Sequence, residues 1–168
     1  GKYSIVYDII PQKIWHLLRI FPDEIYFKHF NILFGSDRLF TISESVKDDL
    51  INIVGIDKNR IQNIDGGPFN KYSTKELKKM DLKEPFLIYP SAPIVHKNNE
   101  RAVKAFEKFN RRHNYKYTLY ITSTFDLEQQ DKLKRFTDKV VFTGNITDEE
   151  LAYAYTKAEA LYFPSLSE

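Results

Sequence analysis

Short apolar runs alternate along the chain with longer segments in which apolar positions recur every three or four residues, most regularly after Pro85. "FLIYPS" predicts a buried strand, "NNERAVKAFEKFNRRH" a helix with Ala102, Val103, Phe106 and Phe109 on one face, and "YTLYITS" the next strand. A helix through "LEQQDKLKRF", a strand "KVVFTG", a helix "DEELAYAYTKAEA" and a strand "ALYFPS" follow. Strands separated by helices of this length are βαβ units, so the fold class is α/β with a parallel sheet and right-handed crossovers. Four parallel strands are expected near Phe86, Leu119, Val141 and Leu161.

The preceding half is less regular. It predicts a strand in "YSIVYDII", an aromatic-rich helical stretch from Pro11 to about Phe34, and a strand in "DRLFTIS". A helix "SVKDDLINIVG" then stops at Gly55, a residue suited to a helix end. Between the halves, "NIDGGPFNKYSTKELKKMDLKEP" is rich in glycine, lysine and proline and reads as a linker. The expected division is residues 1–65, a linker over 66–84, and a second domain over 85–168.

Composition narrows the class. At 168 residues and 42% hydrophobic, the chain can bury a real core in one domain or two incomplete ones. The lack of cysteine removes disulfides, thiolate metal sites and a cysteine nucleophile, and fits a reducing, cytoplasmic compartment. Every apolar run is too short to cross a bilayer. The net charge is +2 with basic and acidic residues interleaved, so no nucleic acid is expected as a partner.

All strands of a parallel sheet end on one edge, so segments 91–97, 123–125, 144–147 and 165–168 share the rim where α/β sheets take ligands. Lys97 is unusual there. It comes just ahead of a helix, where the macrodipole is positive and a cation is disfavoured by about 0.3–1 kcal/mol. An anion would offset that cost, and a helix amino terminus beside a lysine suits a phosphate or a departing diphosphate. The alternative is a lysine that merely points into water.

"YPSAPIVHKNNERAVKAFEKF" followed by "VVFTGNITDEELAYAYTKAEALYFPSLSE" resembles the C-terminal nucleotide-sugar domain of group 1 (family 4) retaining glycosyltransferases of the GT-B fold. "IVYDIIP", "SDRLFTISESVKDDL" and "NIDGGPF" look like the latter part of that family's N-terminal, acceptor-side domain and its crossover. The resemblance covers nearly the whole chain and is most specific at the final strand with "PSLSE". In the family a Gly-Phe-Gly turn, a helix and a second glutamate follow. The resemblance therefore implies a chain that stops inside a paired-glutamate motif, and a piece that transfers no sugar by itself.

What the resemblance implies maps onto individual positions. Lys97 matches the lysine that contacts the donor diphosphate, and Asn98 opens the helix beside it. Ser91 stands where members commonly carry an arginine partner, though others carry serine, so the diphosphate clamp is either weaker here or completed by another residue. Gly144, Asn145 and Ile146 match the loop near the nucleobase. Glu168 matches the glutamate that positions the donor sugar and its reacting centre, which makes Glu168 and Lys97 the catalytic candidates. Tyr7 and Asp8 stand where many members have a His-Asp pair near the acceptor. No metal and no cofactor are expected, because basic groups and the helix dipole hold the diphosphate.

Other features have plainer readings. "TDEE" at Thr147 to Glu150 is a capping box rather than an acid cluster. "NIT" at Asn145 matches the short glycosylation pattern and is expected to be silent. His16, His29, His96 and His113 lack the i, i+4 spacing of a helical metal pair. The stretch around Trp15 reads as two short core helices split at Pro22, with an amphipathic helix at a membrane surface as the alternative. The combined expectation is transfer of a sugar from a nucleotide-diphosphate donor to a glycan or lipid-linked acceptor, with retention, in the cytoplasm or at the inner face of the membrane. A catalytically silent nucleotide-binding or scaffold module and a GT-B sugar-nucleotide epimerase are the competing readings.

Overall fold

The computed structural model describes residues 1–14, 24–67 and 77–167, apart from the side chains of residues 24–26. The chain forms two compact units, Gly1–Phe69 with Ser167–Glu168, and Asn70–Leu166.

The first unit carries a parallel sheet of β1 (Tyr3–Val6), β2 (Arg38–Thr41) and β3 (Ile61–Asn63), in that order. Helices α1 (Ile10–Lys13) and α2 (Glu24–Gly35) precede β2, and α3 (Glu44–Asp49) follows it and widens into a π turn over Leu50–Val54. Val6, Leu33, Leu39, Val46, Leu50 and Ile61 belong to one core, so the strands and the helices between them are packed together by apolar burial. Ser43 caps α3 by accepting the Val46 N–H, and Gly55 ends the π turn with φ 80° as its glycine predicts. Of the predicted helical stretch, residues 15–23 lie outside the described residues, Trp15, His16 and Pro22 among them. Strand β3 was not expected. Its three residues carry too short a pattern to separate from a loop, and pairing with β2 (Leu39 opposite Ile61) makes them a strand.

In the second unit, β4 (Phe86–Pro90), β5 (Thr118–Thr122), β6 (Val140–Gly144) and β7 (Ala160–Leu161) form a sheet in the order β6-β5-β4-β7. All neighbours are parallel, as the βαβ pattern predicts. Helices α4 (Asn99–Arg112), α5 (Leu127–Lys134) and α6 (Asp148–Lys157) make the crossovers. Side chains alternate across the sheet. Tyr89, Leu119 and Ile121 pack with Ala102, Val103 and Phe106 of α4 and Leu133 of α5. Phe86, Ile88 and Tyr120 face the opposite way, onto Ala154 of α6, with Met80 and Leu82 against the same cluster. Met80 and Leu82, from the later part of the expected linker, thus pack on this sheet, and Lys83 donates its N–H to the Tyr120 hydroxyl at 2.8 Å.

Two local expectations are corrected. Phe109 is 39% exposed, its ring tilted against those of His113 and Tyr117, and the position below Phe106 on the buried face belongs to Asn110. Asn110 is fully buried because its carboxamide pairs with the Tyr117 backbone, donating to the C=O at 2.8 Å and accepting from the N–H at 2.9 Å. Strand β7 is also shorter than "ALYFPS". Tyr162 still donates to the Ile88 C=O, but Pro164 has no N–H to extend the ladder.

Replacing Asn110 would strand two backbone groups at the end of α4. Asn110→Ala is expected to cost about 2–4 kcal/mol, from about 1–3 kcal/mol per buried unpaired group, read as a lower melting temperature. An unchanged melting temperature would contradict the structural role given to this carboxamide.

Candidate functional site

The second sheet has one point at which its order reverses. From β4 the chain steps to β5 and β6 on one side, then returns through α6 to β7 on the other. The loops leaving β4 and β7 therefore diverge from adjacent strands, and the crevice outside that switch point is where open α/β sheets bind ligands. Lys97 is in the loop after β4, and "FPSLS" is the segment after β7.

The loop after β4 is built on short polar contacts. The Ser91 side chain is buried and donates to the Asn99 Oδ1 at 2.5 Å, while the Asn99 Nδ2 donates to the Ala92 C=O at 2.7 Å. A 3-10 turn over Val95–Lys97 leads to Asn98, whose φ of 60° is a left-handed value that asparagine tolerates better than most residues. The Tyr89 hydroxyl, from within the core, donates to the Lys97 carbonyl. The Tyr89 ring meets Tyr162 edge on at 5.7 Å, and the Tyr162 hydroxyl donates to the Ala102 C=O; burial pushes its phenol above the ordinary value.

Two hydrogen bonds then join the two loops. The Asn98 Nδ2 donates to the Pro164 C=O at 3.1 Å, and Leu166 donates its N–H to the His96 C=O at 2.7 Å. The Lys97 ammonium lies 4.8 Å from the centre of the Phe163 ring, a cation–π contact. The structure thus brings together Ser91, Lys97, Asn98 and the segment that leads to Glu168. Glu168 itself lies outside the described residues.

Electrostatics favour an anion at this corner. Because the Asn98 side chain is spent on Pro164, no side chain caps α4, whereas α5 and α6 each carry a complete capping box. The acid in the first turn of α4, Glu100, pairs with Lys104 at 2.6 Å and Lys132 at 3.1 Å, and those ammonium groups hold its carboxyl below the ordinary range. The amino end of a 14-residue helix therefore stands beside Lys97 without a side-chain cap.

The Gly144 loop occupies the same rim, on β6. With β5 between them, β6 and β4 are about 10 Å apart in the sheet. Ser123, itself at φ 85°, donates its N–H to the Gly144 C=O at 2.9 Å, and Gly144 has φ 70°. Asn145 is exposed and Ile146 half-buried. "TDEE" is the capping box: Thr147 accepts the Glu150 N–H and Glu150 accepts the Thr147 N–H. In the first unit, Tyr7 is exposed and Asp8 accepts the Ile10 N–H at the start of α1. Among the described residues, no three His, Asp or Glu side chains are grouped to hold a metal ion, and no helix is long and apolar enough to cross a membrane. Sequence reasoning missed the supporting roles of Tyr89 and Phe163. The only signal for Tyr89 was its place two residues ahead of Ser91 on a buried strand.

No family model matches the chain. The "Serotype-specific mannosyltransferase WbdA" of Escherichia coli is 24% identical over 149 residues, which cover 79% of this chain and 18% of that protein. The "O-antigen chain mannosyltransferase RfbU" of Salmonella typhimurium is 27% identical over 135 residues, covering 77% of this chain and 36% of RfbU. This chain spans much less than half the length of either curated relative. A crystal structure of a glycosyltransferase from Rickettsia africae superimposes with a TM-score of 0.62 at 18% identity, covering 97% of this chain and 45% of that one. The chain has a Rossmann-like α/β fold with parallel sheets, consistent with GT-B, and it is similar in sequence to mannosyltransferases.

Proposed function

We propose that the chain supplies the donor side of a retaining glycosyltransferase, one that moves a hexosyl group from a nucleotide diphosphate to a glycan or lipid-linked acceptor. The observation that carries this reading is the hydrogen-bonded junction of the Lys97 turn with the segment after β7 at the sheet's switch point. The names of the sequence relatives favour mannose as the sugar and a growing polysaccharide as the acceptor.

In this reading the donor diphosphate sits against Lys97 and the amino end of α4. As the sugar–phosphate bond breaks, negative charge grows on the departing oxygen, and a fixed cation plus aligned N–H groups stabilise it more than the ground state. The acceptor hydroxyl attacks the anomeric carbon on the face the diphosphate leaves, and its proton passes to the departing phosphate oxygen. Tyr89 fixes the Lys97 backbone, and Asn98 ties the turn to the segment leading to Glu168, which orients the sugar. The Gly144–Asn145–Ile146 loop lies where the nucleobase would stack. Neither a metal nor a cofactor enters this reading. Peripheral contact with the inner face of a membrane, useful for a lipid-linked acceptor, is favoured by Phe27, Ile32 and Phe34 exposed on α2.

Lys97→Ala in the natural gene product should slow turnover by about 100-fold, equivalent to about 2.7 kcal/mol. The contact with Phe163 is worth about 0.5–2 kcal/mol at this half-buried position, so the variant should still fold, with a modestly lower melting temperature. Lys97→Arg should restore part of the rate. Unchanged turnover in a folded alanine variant would return Lys97 to a solvated surface charge.

At Gly144 an added Cβ would meet no atom within 4 Å, so Gly144→Ala adds backbone strain alone. At φ 70° that strain is about 1–2 kcal/mol. We expect a several-fold higher KM for the donor and a smaller effect on kcat. The opposite split would remove this loop from the donor site.

A further inference from the structure

Several polar side chains on the rim of the second sheet already have partners. The Ser91 hydroxyl serves Asn99, the Asn98 carboxamide serves Pro164, and Thr147 caps α6. Ser165 is different. Its hydroxyl oxygen is buried and has no hydrogen-bond partner. Its position is nevertheless tightly held, because the C=O of Pro164 accepts from Asn98 and the N–H of Leu166 donates to His96. The backbone is thus pinned on both sides of a side chain whose own polar group is unmet.

A buried hydroxyl without a partner costs about 1–3 kcal/mol, and such groups in folded proteins call for an explanation. Packing does not supply one, since alanine would fill nearly the same space without the cost. The orphan lies in the segment bonded to the Lys97 turn, where Ser91 is already committed and leaves the lysine without a second side-chain donor to an anion. We propose that the Ser165 hydroxyl donates a hydrogen bond to the diphosphate of the donor, completing with Lys97 the grip on the leaving group. This inference rests on the donor-side reading given above. Ser165 is a binding residue whose hydroxyl is left unpaired in the free protein and satisfied by the ligand.

The test has two readouts that move in opposite directions. Ser165→Ala in the natural gene product should raise the melting temperature by about 2 °C or more, because an unmet polar group is removed. It should also weaken binding of nucleoside diphosphates by about tenfold in calorimetric titration with ADP, GDP, UDP, CDP, dTDP and inorganic pyrophosphate. Ser165→Cys, which keeps the shape but donates weakly, should bind like the alanine variant. A structural hydroxyl would give the reverse, a lower melting temperature with unchanged affinity, and that result overturns the proposal. Unchanged affinity at Ser165→Ala alongside weakened binding at Lys97→Ala overturns the role of Ser165 and leaves the donor-side reading standing. No binding of any of these probes by the wild-type protein overturns both.

Discussion

Parallel pairing of β4 on both edges, with β5 on one side and β7 on the other, forces the geometry on which the second unit's chemistry depends. A parallel neighbour can be reached only through a crossover, and a right-handed crossover places its helix on the face set by the direction of travel. Travel from β4 to β5 and β6 puts α4 and α5 on one face. The return to β7 puts α6 on the other, and both faces become core. Burial on both sides explains why β4 reads as an unbroken apolar run and why its residues are so completely enclosed. It also leaves two adjacent loops diverging at the carboxyl edge, with the helix that follows β4 pointing its amino end between them.

Within that frame, hydroxyls and carboxamides do the local shaping. Asn110 ties the last turn of α4 to the backbone just ahead of β5, Ser91 with Asn99 shapes the loop after β4, and Asn98 reaches across to the neighbouring loop. Each is a neutral group satisfied at short range, which costs little to bury. The charges lie elsewhere, in largely exposed pairs such as Lys104 with Glu100, where they contribute little to stability. Lys97 lies against the Phe163 ring, with a helix amino end beside it.

The parallel architecture was legible because β4, α4, β5, α5, β6 and α6 each carry enough residues for their period to show. Lys97 stood out as a candidate because it is a cation just ahead of a helix start. What escaped was set by contacts that no apolar period encodes. Asn110 is polar and so invisible to an apolar pattern, yet it replaces Phe109 on the buried face because Tyr117 offers it a backbone pair. Strand β3 exists through its register with β2, and the short reach of β7 follows from a proline that ends its ladder. The link between Asn98 and Pro164 spans 66 residues, and no local pattern encodes it.

Strand β7 is held to the sheet by only two paired residues, so the segment beyond it depends on Tyr162, Asn98 and His96 for its place. A ladder this short opens at lower free energy than the core, and β7 should be among the first parts of the second unit to exchange its amide hydrogens. Any ligand that bridges the two loops would close that edge as it binds. The concentration of such a ligand would then act as a folding agent for one margin of the sheet, adding about 1.4 kcal/mol of protection for each tenfold excess over Kd. Occupancy of the site and order of the segment leading to Glu168 would thus become one thermodynamic quantity.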